Sequence, residues 1–297
     1  MFPENARMVF CIGAQKAGTT WLYDALRKSP QVHFSRNKEL HYFDVVSGRA
    51  QQVLDLRVRA AQNLSKRLVA ETGPRNRANV ELLQDLTSLL SIYTGDTGDH
   101  GPYLAYLLES YQNQKVICDI TPAYAILDRA TFGEMGRIGS AKFMFILRDP
   151  IDRMWSQIRM AVKMANTLPE NFQEVCETRA RQLIDSNRLA KIERADYQRT
   201  ITELEAAIPA DQIQYLFYET LFQTDTMANI CRFLDIPPIT IEPETLSNLG
   251  ITAVLPDDLR RAFHEAFAHQ YDFIGDRFGA NVPARWAGPI TTDISVT

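Results

Sequence analysis

The chain has 297 residues, of which 45% are hydrophobic and 23% are charged, and its formal net charge is −4. This composition is typical of a globular protein, and the length suits one large domain or two. The acidic balance excludes the overall positive surface with which proteins bind nucleic acid or an anionic membrane, so we expect neither partner. An anionic ligand must therefore be held by a local group of positive charges.

The cysteines predict a reduced protein. Cys11, Cys118, Cys176 and Cys231 are widely separated and match no metal-ligand spacing. Cys11 and Cys118 lie in apolar runs, where a free thiol packs as a small hydrophobic side chain, so we expect no disulfide and no metal.

The N-terminal sequence MFPENARMVF lacks the pattern of a secretory leader, and no apolar run approaches the roughly 20 residues that cross a bilayer. We expect a cytoplasmic protein, whose oligomeric state these features leave open.

Four short apolar runs predict β-strands. They are residues 8–12, 115–118, 142–147 and 212–217. The first three are continuously apolar rather than alternating, as expected of parallel strands that are covered on both faces.

Helical patterns alternate with these strands. They cover residues 19–28, 149–164, 170–207, 224–234 and 256–278, and Pro150 suits a first helical turn. The alternation predicts an α/β fold in which a P-loop-like parallel sheet is flanked by helices on both faces. We predict a single domain over residues 1–297, closed by the C-terminal helical segment 256–278.

Residues 45–110 interrupt this alternation. Helical apolar spacing there is accompanied by seven basic residues: Arg49, Arg57, Arg59, Lys66, Arg67, Arg75 and Arg77. We interpret the segment as a helical insertion near the ligand edge of the sheet. The alternative is that most of these arginines lie on a solvated helix face.

The strongest local signal is the loop that follows the first predicted strand, residues 13–21 with the sequence GAQKAGTTW. Backbone N–H groups and the positive end of the helix dipole converge where a strand ends and a helix begins, which favours an anion. Thr19 or Thr20 can cap the helix and offer a hydroxyl to phosphate, and Lys16 supplies a positive charge. The alternative is a helix cap beside an exposed lysine. A Walker A loop is excluded, because there the lysine directly follows the second glycine.

A second candidate anion site follows the predicted strand 142–147. Arg148 comes directly after this strand and before a helix, so it lies at the carboxyl edge of the sheet, where α/β folds bind ligands. Its guanidinium can bind phosphate through two hydrogen bonds, and the Ser156 hydroxyl on the next helix can add another. The alternative is an ion pair between Arg148 and Asp149 or Asp152.

These segments resemble the sulfotransferases that use 3′-phosphoadenosine 5′-phosphosulfate (PAPS). QKAGTTWL resembles their 5′-phosphosulfate loop, and FILRDPIDRMWS resembles their 3′-phosphate motif. NKELHYFD at residues 37–44 and DITPAY at residues 119–124 are similar to segments of the heparan sulfate 3-O- and N-sulfotransferase branch. The stretch from ADYQRT to YLFYETL resembles the family's segment in which a helical tyrosine precedes a strand.

The resemblance implies roles for individual residues. PAPS is the co-substrate and adenosine 3′,5′-bisphosphate the product, held by Lys16, Ala17, Gly18, Thr19, Thr20, Arg148, Ser156 and Tyr197. Lys16 stabilises charge that grows on the bridging oxygen. Glu39 takes the acceptor's proton, supported by His41 and Asp44. His41 remains the rival base, because the pKa of histidine lies near neutrality. In strand geometry residues 39 and 41 share a face. For Tyr197 the alternative is a packed core side chain.

The acceptor expected from this resemblance is a carbohydrate or small molecule that carries a hydroxyl or amine. Two alternatives remain: a small-molecule kinase with a variant P-loop, and a non-catalytic nucleotide-binding protein of the same fold. Two departures from the branch favour the second. Ile120 stands where the branch usually has Lys or Arg, and residues 244–255, where it has a basic loop over the nucleotide, contain neither.

Overall fold

The computed structural model describes residues 2–70, 73–96, 98–165, 170–241 and 253–286. These residues form a five-stranded parallel sheet in the order β2-β3-β1-β4-β5. The strands are β1 (Arg7–Gly13), β2 (Val32–Phe34), β3 (Val116–Ile120), β4 (Lys142–Leu147) and β5 (Ile213–Phe217). The predicted α/β fold is confirmed, and β2 is a strand that the sequence patterns missed.

The helices follow the predicted alternation. In chain order they are α1 (Thr19–Leu26), α2 (Tyr42–Val46), α3 (Gln51–Ala70), α4 (Pro74–Leu90), α5 (Gly101–Leu107), α6 (Arg129–Gly136), α7 (Pro150–Met164), α8 (Phe172–Asp185), α9 (Tyr197–Glu205), α10 (Thr224–Leu234) and α11 (Asp257–Phe278). None of these described helices is long and apolar enough to cross a membrane.

Burial explains why the strand patterns were continuous rather than alternating. Every residue of β3 is buried, as are all residues of β1 after Arg7 and all of β4 after Lys142. Side chains on both faces of these strands are therefore removed from water, which is the environment of a parallel sheet covered on both sides. The four cysteines are free thiols and buried.

The chain forms two compact units, each assembled from separate stretches. The first unit comprises Met1–Ile12, Leu26–Met144 and Glu203–Ile213, and the second comprises Gly13–Ala25, Phe145–Thr202 and Gln214–Thr297. The single domain expected from the sequence stays a prediction.

In the first unit, α3 and α4 pack against each other within the stretch 45–110. Leu64 is the buried residue of α3, and apolar side chains such as Leu56 and Leu82 are more than half exposed, at 64% and 54%. Most of this helical pair therefore faces solvent. In the second unit, α7, α8 and α11 enclose an apolar core that includes Trp155, Phe172 and Phe263.

Candidate functional site

The predicted phosphate loop lies between β1 and α1 in the second unit. Lys16 and Gly18 both have left-handed backbone, with φ of 70° and 87°. The N–H of Ala17 donates to the carbonyl of Ala14 at 3.2 Å, which closes the turn. Ala17 and Thr19 are buried, whereas Thr20 is exposed. The loop ends at the N-terminus of α1, where backbone N–H groups are available to an anion.

Gly18 is required by its surroundings as well as by its conformation. A Cβ atom built at this position would lie 2.7 Å from Cδ2 of Leu221 and 3.1 Å from Cδ2 of Tyr218. Left-handed backbone is also costly for any residue that has a side chain. The turn after β5 therefore packs directly against the loop and leaves room for glycine.

Arg148 joins the two predicted anion sites. It follows β4, and its Nη1 donates to the carbonyl oxygen of Lys16 at 2.8 Å. The guanidinium carbon lies 4.3 Å from the centre of the Tyr218 ring, a cation–π contact. The loop after β1 and the residue after β4 are thus held together.

Tyr197 is buried and supports the backbone of Arg148. Only 1% of the side chain is exposed. Its hydroxyl donates to the Arg148 carbonyl at 2.8 Å, and the Arg148 N–H donates to the Tyr197 hydroxyl oxygen at 3.3 Å. The structure therefore shows Tyr197 positioning Arg148, while a direct contact between Tyr197 and a nucleotide stays a prediction.

The two acidic residues beside Arg148 are bonded elsewhere. Asp149 caps α7 by accepting from the N–H of Asp152 at 2.9 Å, and it accepts from the Tyr271 hydroxyl at 2.9 Å. Burial raises the pKa of Asp149. Asp152 accepts from Arg285 at 2.9 Å. The ion pair considered as the alternative role of Arg148 is not formed among the described residues.

Two further arginines lie at the loop, and sequence reasoning missed both. Arg153 on α7 is 0% exposed, and its Nη1 donates to the side chain of Gln157 at 2.9 Å and reaches the Gln15 carbonyl at 3.5 Å. Arg194 donates to the Gln15 side chain at 3.2 Å. Arg153 could have been noticed as a charged residue on the apolar face of α7, whereas no pattern distinguishes Arg194.

The buried guanidinium of Arg153 lacks an acidic partner among the described residues. Its Nε and Nη2 have no hydrogen-bond partner there. Burial lowers the pKa of Arg153, and the charges of Arg148 and Arg194 lower it further, against a raising contribution from Tyr197. A buried charge of this kind is costly unless an opposite charge compensates it. The site therefore suits an anion.

Ser156, one of the predicted donor-site residues, lies on α7 and is partly buried. Lys16, the loop residues up to Thr20, Arg148, Ser156 and Tyr197 all belong to the second unit. Glu39 and His41 belong to the first. Residues 244–252 of the predicted nucleotide loop lie outside the described residues. Near the end of that loop, the carbonyl of Ala253 accepts a hydrogen bond from the Trp155 indole at 2.8 Å.

The predicted strand geometry of residues 39–41 is wrong. Glu39 and His41 both have left-handed backbone, with φ of 61° and 53°, and the segment is an irregular loop before α2. Extended backbone requires a negative φ, so the argument that alternate residues share a face does not apply. The two side chains nevertheless meet, because Oε2 of Glu39 lies 3.8 Å from Nε2 of His41.

Glu39, His41 and Asp44 form a row of decreasing exposure. The side chains are 41%, 16% and 0% exposed respectively. Nδ1 of His41 lies 2.7 Å from Oδ2 of Asp44. Nδ1 of the His41 ring thus faces the buried Asp44, and Nε2 faces Glu39. Chemically, the row can orient a solvent-accessible carboxylate and accept a proton from a hydroxyl.

Comparisons with known proteins agree with the fold. A sequence profile described as the sulfotransferase family matches residues 8–240. Carbohydrate sulfotransferase 15 of Rattus norvegicus is 24% identical over 280 residues, which cover 80% of this chain and 45% of the rat protein. The chain thus spans less than half the length of that relative. A crystal structure of a sulfotransferase from Alicyclobacillus acidocaldarius has a TM-score of 0.61 at 16% identity, covering 94% of this chain and 98% of that chain. That likeness shows the fold.

Proposed function

Because the chain belongs to the sulfotransferase family, we propose that it moves a sulfuryl group from PAPS to a hydroxyl or amine of a carbohydrate or small-molecule acceptor. The family generally uses PAPS as its sulfate donor. One observation supports this donor: the buried guanidinium of Arg153 has no acidic partner among the described residues, and Arg148 lies at the same loop after β1. A nucleotide that carries phosphate at both its 3′ and 5′ positions would supply the missing negative charge.

The donor residues divide into two groups. The loop from Lys16 to Thr20 suits the 5′-phosphosulfate, because a helix N-terminus and a lysine both stabilise negative charge. Arg148 and Ser156 suit the 3′-phosphate, since a guanidinium can donate two parallel hydrogen bonds to phosphate oxygens. Arg153 and Arg194 are new members of this proposed site, which act through charge and through the position of Gln15.

Sulfuryl transfer resembles phosphoryl transfer, in which catalysis depends mainly on positioning and on stabilising charge. We propose that Lys16 stabilises the negative charge that grows on the oxygen bridging the sulfuryl group and the nucleotide. The lysine is held at the end of a loop that Arg148 fixes through the Lys16 carbonyl. Such preorganised positive charge is often a large contribution to catalysis.

Glu39 is the proposed base for the acceptor's proton. Its carboxylate is the most exposed of the row, and His41 is held by the buried Asp44, as expected of a supporting residue. His41 is the rival base, because its Nε2 faces the same region. The turnover of Glu39→Gln and of His41→Ala distinguishes the two roles.

The kinase and the non-catalytic protein, which were alternatives at the level of sequence, find no support in a family of sulfotransferases. The name of the rat relative favours a carbohydrate acceptor, and we propose a carbohydrate ahead of other small molecules. The cytoplasmic location expected from the sequence stays a prediction.

The proposed donor is tested by thermal unfolding with a choice of nucleotides. Adenosine 3′,5′-bisphosphate should raise the melting temperature, because a ligand at 100 times its dissociation constant stabilises the native state by about 2.7 kcal/mol. ATP with Mg²⁺ should have little effect, since it carries no 3′-phosphate for Arg148. Equal stabilisation by ATP would contradict the proposal. Adenosine 5′-monophosphate, which differs from the bisphosphate only in lacking the 3′-phosphate, measures the contribution of that phosphate alone.

A further inference from the structure

Three consecutive carbonyl groups of the loop that bears Glu39 and His41 accept hydrogen bonds from the stretch 45–110. Arg57 on α3 donates from Nη2 to the carbonyl of Glu39 at 3.0 Å and from Nη1 to that of Leu40 at 2.8 Å. The Tyr93 hydroxyl lies 3.2 Å from the carbonyl of Leu40 and 3.1 Å from that of His41. Arg57 also donates to the Tyr93 hydroxyl.

The loop needs this support because of its backbone. Glu39 and His41 both occupy the left-handed region, which disfavours residues that have a Cβ atom. A short loop with two such residues persists when surrounding bonds fix it. Four contacts from Arg57 and Tyr93 to these three carbonyls provide such fixation, and they involve neither the Glu39 carboxylate nor the His41 ring.

The other end of the loop is fixed from the sheet. The N–H of Tyr42, the next residue, lies 3.1 Å from the Tyr124 hydroxyl. That hydroxyl donates to the buried carboxylate of Asp119 at 2.9 Å. Asp119 also accepts from Tyr103 at 3.0 Å and from Thr121 at 2.6 Å. The C-terminal end of the loop is therefore anchored to the end of β3. The carbonyls of the loop are held instead by Arg57 and Tyr93.

Arg57 differs from its neighbours on α3. The helix is mostly exposed, yet Arg57 is partly buried and lies 5.8 Å from the centre of the Tyr93 ring. Arg59, two residues further on the same helix, is exposed. Burial raises the pKa of the Tyr93 hydroxyl, so this group stays protonated and remains a donor.

We propose that Arg57 and Tyr93 are positioning residues for sulfuryl transfer: they clamp the carbonyls of Glu39, Leu40 and His41 and so hold the proposed base and its histidine toward the acceptor. This inference rests on the proposed function of Glu39 and His41. The guanidinium of Arg57 bonds to main-chain oxygens, so it fixes the loop without occupying the carboxylate of the base.

The test compares Arg57→Ala with Arg59→Ala, which removes an arginine of the same helix that faces solvent. The assay is sulfuryl transfer from radiolabelled PAPS to a panel of methyl glycosides, and the most rapidly sulfated glycoside is used for all variants. Arg57→Ala should lower kcat by about 10- to 100-fold, the range expected when a catalytic group is misplaced by about an ångström. Arg59→Ala should stay within about twofold, as expected for a surface substitution. Affinity for adenosine 3′,5′-bisphosphate should be unchanged in both variants, because neither arginine belongs to the proposed donor site.

A double-mutant cycle with Glu39→Gln separates positioning from a merely structural role. If Arg57 acts through the base, its removal should cost little once Glu39 can no longer accept a proton, so the losses are not additive. Arg57→Lys should recover part of the activity, because it keeps one donor and loses the second. Fully additive losses, or unchanged kcat in Arg57→Ala, would overturn the proposal.

Hydrogen exchange gives a readout that needs no acceptor. In Arg57→Ala and in Tyr93→Phe, the peptide covering residues 37–46 should exchange faster than in the parent protein, while the peptide covering residues 13–25 should not change. Unchanged exchange in 37–46 would contradict the clamp even if turnover fell. If Glu39→Gln and His41→Ala both retain full turnover while exchange responds to Arg57→Ala, the clamp stands as a structural feature and the proposed base assignment fails.

Discussion

The loops at residues 14–18 and 39–41 are both stabilised by an arginine that donates a hydrogen bond to a main-chain carbonyl, but they meet the steric cost of left-handed backbone in different ways. Each contains two residues in left-handed backbone, and in each an arginine from outside the loop donates to a carbonyl at 2.8 Å. In the first loop the carbonyl of Lys16 is held by Arg148, and in the second the carbonyl of Leu40 is held by Arg57.

The difference lies in how each loop meets the steric requirement. The phosphate loop has a glycine at the position where a Cβ would contact Leu221 and Tyr218. Because this glycine is part of the short motif, the local sequence indicates the conformation of the loop. The second loop adopts left-handed backbone at Glu39 and His41, whose side chains carry the proposed chemistry and cannot be replaced by glycine. Its conformation therefore depends on Arg57 and Tyr93, which lie outside the loop, and no short sequence motif includes them.

The largest effect is expected at the second loop. Glu39→Gln keeps the size of the side chain but cannot take a proton, so turnover should fall by roughly 100- to 10,000-fold. Nucleotide affinity should be nearly unchanged. Single-turnover sulfuryl transfer measures the rate, and Glu81→Gln, an exposed acid on α4, is the control. If His41→Ala abolishes turnover and Glu39→Gln does not, the two roles must be exchanged.

A smaller effect is expected at the first loop, and on binding rather than on the chemical step. Arg148→Ala removes both the proposed phosphate contact and the bond to the Lys16 carbonyl, so affinity for adenosine 3′,5′-bisphosphate should fall by about 2–3 kcal/mol. Calorimetry measures it, with Arg179→Ala, an exposed arginine on α8, as the control. Unchanged affinity in a folded Arg148→Ala protein would mean that this arginine only ties the loop to β4.

The smallest effect is expected at Tyr197. Tyr197→Phe leaves the Arg148 carbonyl without its 2.8 Å donor, so the free energy of unfolding should fall by about 1 kcal/mol. Affinity for the nucleotide should change little, because the hydroxyl is engaged by the backbone. Chemical denaturation and calorimetry on the same variant distinguish the two roles. A large loss of affinity with unchanged stability would show that Tyr197 is itself a ligand.

Much of the fold could be predicted from the sequence because its determinants are local. Residues 142–147 and 224–234 form the strand and helix that their patterns predicted, with the same bounds. Continuous apolar strands and amphipathic helices carry their signal within one element. β2 was missed because three residues are too few to show a period.

The candidate site divides along the same line. Lys16, Gly18 and Arg148 lie in compact motifs at strand ends, and the structure brings them together. The contacts of Arg153 and Arg194 depend on packing between segments far apart in the chain, and those of Arg57 depend on how α3 packs against the loop, so a local pattern does not show them. An arginine in a helical pattern is usually solvated, so the pattern around Arg57 gave no reason to single it out, and Arg153 stood out only as a charged residue on the apolar face of α7.

The bond between Arg148 and Lys16 joins residues that are 132 positions apart, and this separation governs when the nucleotide site can form during synthesis. At roughly 5–20 residues per second, a ribosome needs about 7 to 26 seconds to add the arginine after the lysine. Throughout that interval the lysine's loop has glycine and a helix start but no guanidinium to fix it. Closing so long a loop carries an entropic cost that later contacts must offset. A nascent chain that ends before Arg148 therefore lacks the residue that fixes the loop. The nucleotide can stabilise the chain only after β4 and Arg148 have folded onto the early loop.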